Sequence, residues 1–107
     1  MTLTAQPLTG PPLASRLRAA RAVRFLPPPA ERRAIREEAR LSREDIAREL
    51  RAQGLKVTAG AVQWWEKEKH QGGFDPRPAK ALAYGELLDR IKREVDSWLA
   101  EQEEPQK

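Results

Sequence analysis

The chain has no cysteine, one histidine, one methionine and only six aromatic residues among 107. Without cysteine there can be no disulfide framework and no thiolate metal site. The single histidine, His70, sits in a glycine-rich loop with no paired nucleophile, and is expected to be exposed to solvent. No His-Glu-x-x-His pattern, glycine-rich phosphate loop or ligand-spaced acidic cluster occurs. The sequence therefore predicts no enzyme, no cofactor, no metal and no small-molecule substrate. No apolar run approaches the roughly 18 residues that cross a bilayer. Residues 13–26 are basic and loosely apolar, but lack the uninterrupted apolar stretch of a signal peptide. Membrane partners are not expected, and the absence of cysteine fits a reducing cytosol. Strand-length alternation of β-branched residues is missing too, as is any internal repeat.

Acidic side chains are absent from the first 30 residues. That segment holds Arg16, Arg18, Arg21 and Arg24, while residues 31–107 hold 16 basic and 16 acidic side chains. The whole excess of +4 therefore lies in an N-terminal arm. Such an arm suits a polyanion, most often nucleic acid, or serves as a solubilising segment.

What is present is helical periodicity. Residues 1–12, with Pro7, Gly10, Pro11 and Pro12, read as disordered. Residues 13–29 form a basic arm or short helix, with Leu13, Leu17 and Ala20 on one side, followed by a proline linker. A first firm helix spans 30–40, with Ala34, Ile35 and Ala39 as its apolar positions. Ser42 followed by Asp45 is a capping signature for a second helix over 43–53 that buries Ile46, Ala47 and Leu50. Gly54 stops it. Thr58 caps a third helix over 59–69, ended by Gln71, Gly72 and Gly73. Asp75 and Pro76 read as the cap and first turn of a long fourth helix over 76–102, and the acidic tail frays. The expected fold is all-α, a compact bundle of four to five helices containing a helix-turn-helix with an extended turn and a long C-terminal helix. The helix-turn-helix unit occupies 30–92, and 93–107 is a helical extension with its tail.

Trp64 and Trp65 stand side by side, about 100° apart on a helix, so one core cannot easily bury both. Val62 and Trp65 are three apart and share the inward face. The outward face is then Ala59, Gly60, Gln63, Trp64 and Lys67. Small Ala59 and Gly60 permit close approach to a duplex. The free N–H groups of that helix start favour a phosphate. Gln63 can pair with both N6 and N7 of adenine. Trp64 either meets a thymine methyl, sugar or base, or packs within the chain or on a protein partner. Arg43, Arg51, Lys56, Thr58, Lys67 and Lys69 surround this face as candidate phosphate contacts.

"RAIREEARLSREDIAREL" followed by "VTAGAVQWWE" resembles the Cro-repressor-like (XRE) helix-turn-helix family of bacterial and phage regulators. The resemblance covers about residues 30–90 and rests on Leu41-Ser42, Ile46-Ala47, Leu50, Val57-Thr58, Val62 and Trp65-Glu66. It implies a double-stranded DNA-binding regulator of repressor type, often dimeric, with the third firm helix in the major groove. It also implies that Arg36 pairs with Glu66 to tie the first helix to the recognition helix. "RAQGLKV" is longer than the turn usual in the family, which implies a shifted docking angle.

Tyr84, Leu88, Ile91, Val95 and Trp98 are spaced by four and three, and Leu87 and Leu99 widen the stripe. Its first half suits the core. Its second half, Ile91, Val95, Trp98 and Leu99, predicts a homodimer seam, with a folded-back monomer as the alternative. A protein-interaction module that keeps the helix-turn-helix core, antitoxin-like or binding a host factor, is the competing function.

Overall fold

The computed structural model describes residues 13–102, apart from the side chains of Ala19, Ala20 and Ala22. The expected disorder of 1–12, the fraying of 103–107 and the placement of the Ala20 side chain lie outside this description. Five α-helices follow one another: α1 Leu13–Arg24, α2 Pro29–Glu38, α3 Arg43–Ala52, α4 Ala59–Trp65 and α5 Pro78–Gln102. A short 3-10 turn, Lys69–Gln71, separates α4 from α5, and no strand occurs among the described residues. The fold is the expected all-helical bundle with a long final helix. Among the described residues no helix is long and apolar enough to cross a membrane.

Local chemistry explains most of the boundaries. The prolines at 27–29 end the arm, and Pro29 opens α2, where a missing N–H costs nothing. Ser42 and Asp45 form the capping box in both directions, at 3.0 and 2.8 Å. At the far end of α3, Gly54 adopts φ 88°. Its N–H donates to Arg51 O and that of Leu55 to Leu50 O, which closes the helix in a Schellman motif. α2 closes the same way but earlier than the periodicity suggests. It ends at Glu38, because Arg40 turns left-handed at φ 60° and Leu41 N donates back to Arg36 O.

The core joins α3, α4 and the first half of α5. Ile46, Ala47 and Leu50 pack with Val57, Val62 and Trp65 against Tyr84, Leu87, Leu88 and Ile91. The Trp65 and Tyr84 rings lie 4.9 Å apart, tilted by 46°. α2 covers this core with Ile35 and Ala39, whereas Ala34, expected inward, faces solvent. The inward positions it was expected to share belong instead to Arg32 and Arg36. Along α5 the apolar stripe leaves the core by degrees. Tyr84 is fully buried, Ile91 7% exposed, Val95 half-buried and Trp98 57% exposed. α1 lies against α5.

Candidate nucleic-acid interface

α4 is held from behind by charge as well as by apolar packing. The Glu66 carboxylate is buried and accepts from Arg36 Nε at 2.6 Å, Arg36 Nη2 at 3.0 Å and Arg43 Nε at 3.1 Å. Arg36 also donates to Leu41 O at 2.9 Å, so one guanidinium joins α2, the α2–α3 corner and the end of α4. Donating to the Glu66 carboxylate pushes the Arg36 pKa above its ordinary value. Tyr84 lies close by. Burial raises its pKa and the Glu66 charge adds to the effect. Its hydroxyl finds no partner among the described residues.

A second arginine does comparable work and was not visible in the sequence. Arg32 is almost fully buried and donates to Pro27 O at 2.7 Å, Trp65 O at 2.9 Å and Asp75 Oδ1 at 2.9 Å. It ties the proline linker, the last residue of α4 and the loop before α5 to one point. Its spacing of four from Arg36, on the same face of α2, is the only signal that could have marked it. Asp75 is therefore an ion-pair partner rather than the cap of α5, which starts later, at Pro78.

The front of α4 presents a small set of groups. Thr58 Oγ1 accepts from Ala61 N at 3.1 Å, and its hydroxyl proton stays available to an external acceptor. Val62 and Trp65 point into the core. Gly60 and Gln63 are exposed, and Ala59 is half-buried.

The helix stops at Trp65, not near Lys69. Glu66 caps it, drawn inward by Arg36 and Arg43, and the chain then doubles back. Gly72 takes φ 94°, and a Cβ on Gly73 would collide with the backbone carbonyl of Lys67. Phe74 N donates to Trp64 O at 3.3 Å, which lays the Phe74 ring over Trp64 at 6.2 Å and 15°. Lys67 Nζ sits 4.2 Å from the Trp64 ring centroid. Lys67 is thus off the helix, and Trp64, 40% exposed, shows only part of its surface to the outside.

Several expected phosphate contacts are engaged elsewhere. Arg43 is half-buried on Glu66. Arg51 donates to Val57 O at 2.8 Å and to Glu44. Lys69 approaches Asp75 at 3.8 Å. Lys56 is exposed and takes part in no ion pair among the described residues. His70 is exposed.

The arm contributes at one point. Val23 and Arg24 share a hollow of about 730 Å³ with Lys69, His70 and Asp75. Arg16, Arg18 and Arg21 are exposed along α1. At the other end, Ile91 packs in the chain's own core and is 7% exposed, so it offers little surface to the expected dimer seam. Val95, Trp98 and Leu99 remain accessible. No group of three potential metal ligands gathers among the described residues. Comparisons with models of protein families, with curated proteins and with solved structures find no match to the chain.

Proposed function

We propose that the chain is a sequence-specific double-stranded DNA-binding protein, a regulator of repressor type, with α4 lying in the major groove. One observation carries the reading. α4 is anchored behind by Trp65 and by the paired Glu66, while Gly60 and Gln63 stand exposed at its front. A short helix so fixed can offer side chains to base edges without losing them to motion. The arrangement also bears on charge. In the sequence Glu66 offsets Lys67. In the fold Glu66 pairs with Arg36 and Arg43 behind the helix, so its carboxylate is not what Lys67 meets at the front.

Gln63 reads a base, with Gly60 and Ala59 permitting close approach. Trp64 and Phe74 form an apolar edge beside it, and Lys56, Thr58 and Lys67 are the phosphate contacts the reading retains. Selection from a random duplex library supplies the site. On that site, Gln63→Ala costs about 1–3 kcal/mol and relaxes preference at one base pair. Equal loss on every sequence would remove Gln63 from base reading.

A protein-interaction module is the second reading, favoured by exposed Trp98 and Leu99. It is preferred if the selection yields no enriched duplex.

A further inference from the structure

The two ends of the described chain carry matching deficits. On α1, Leu13 and Leu17 are 56% and 61% exposed, and Phe25 just past its end is 69% exposed. Arg16, Arg18, Arg21 and Arg24 line the same segment, with no acid among them. On the distal part of α5, Trp98 and Leu99 are exposed beside Glu94, Asp96 and Glu101, and residues 94–102 contain no base. Among the described residues none of these four arginines or three acids takes part in an ion pair. The acidic end also has a receptacle. A groove of about 570 Å³ runs between the end of α2 and α5. Leu41, Val95, Trp98 and Leu99 lie along it, and its charged groups are Glu38, Arg40 and Glu94.

We propose that a second copy of this chain covers both surfaces: α1 of each copy docks into the α2–α5 groove of the other. The occupant follows from charge. A basic segment with exposed leucines and a phenylalanine meets an apolar groove where two carboxylates outnumber Arg40, with Asp96 and Glu101 further along α5. By two-fold symmetry the contact is made twice. Within one copy, α1 already lies against α5 while its leucines stay exposed, so the described residues leave both surfaces uncovered. Burying Leu13, Leu17, Phe25, Trp98 and Leu99 of both copies removes on the order of 1,000 Å², the lower end of a specific interface. This assembly uses faces outside the α4 surface and does not depend on DNA binding.

Sedimentation equilibrium of the full chain at tens of micromolar tests it. The expected mass at low salt is twice the 12.1 kDa of one chain, falling toward one chain at high salt. Reversing the arm (Arg16→Glu with Arg21→Glu) or the acidic end of α5 (Glu94→Lys with Glu101→Lys) weakens self-association by roughly tenfold or more. Mixing the two reversed variants restores the pair, because both symmetric contacts regain opposite charges. Combining all four substitutions in one chain restores it as well, which shows that the substitutions leave the fold intact. A single-chain mass at low salt overturns the proposal, and so does failure of the mixture to associate. An arm-reversed variant that keeps the wild-type mass but loses duplex binding also overturns it, and assigns α1 to nucleic acid.

Discussion

Glu66 and Glu94 are the same residue in opposite settings. Glu66 is buried and accepts three hydrogen bonds from two arginines, whereas Glu94 stands on the surface of α5 with no ion-pair partner among the described residues. The contrast extends to the regions around them. From α2 to the loop before α5, Arg32, Arg33, Arg36, Arg43, Arg48 and Arg51 all hold carboxylates. On α1 and the distal half of α5, none of the arginines and acids named above does so. A charge enclosed in a network locks geometry, because removing one partner strands the other in a poor solvent. An exposed charge locks nothing within the chain and remains available to something outside. The middle of the molecule is therefore a frame for α4, and the ends carry charge that the described residues leave unpaired.

Breaking the frame at its centre has the largest expected effect. Glu66→Ala leaves the Arg36 guanidinium buried without its carboxylate and costs about 3–5 kcal/mol of stability, read by chemical denaturation. Arg32→Ala comes next. It strips donors from Trp65 O, Pro27 O and Asp75 together, for a loss of about 2–3 kcal/mol. Ser42→Ala removes half of the capping box and costs about 1 kcal/mol. At the ends, Arg16→Ala and Glu101→Ala stay within about 0.5 kcal/mol of wild type when measured on the dilute monomer. A large loss there would erase the distinction between frame and surface.

The capping box adds a small pH signature. The hydrogen bonds from Ser42, backbone N–H first, lower the Asp45 pKa. A folded-state value below the unfolded one contributes stability that is present above the ordinary carboxylate value, near 3.9, and lost as pH falls through the folded value. Asp45→Asn should therefore flatten the acid limb of the stability curve, with little change at neutral pH beyond the lost cap.

Much of the frame was legible beforehand because its signals are local. Ser42 with Asp45, Thr58, Gly54 and the three-residue step from Val62 to Trp65 each specify geometry within one or two turns. What escaped was set at long range. Residues 66–69 read as a continuing helix, since Glu and Lys favour one. Arg36 and Arg43, distant in sequence, pull Glu66 inward and end α4 at Trp65. Arg32 was unreadable for a related reason. An arginine is expected at the surface, and its burial depends on two carbonyls and Asp75 that only the folded chain assembles. Asp75 next to Pro76 mimics a helix cap, although its real partner lies on α2. The sequence leaves Trp64 open between an outside contact and packing within the chain, because the glycine-driven return of Phe74 over its ring carries no periodic signal.

The central claim is that the exposed front of α4 meets double-stranded DNA. Fluorescence anisotropy of a labelled random duplex, titrated with the full chain over a series of salt concentrations, tests it most directly. The account predicts micromolar nonspecific affinity at low salt. The logarithm of the affinity should fall linearly with the logarithm of salt, by nearly one unit of slope for each phosphate contacted. Absence of binding at low salt, or binding indifferent to salt, would contradict it.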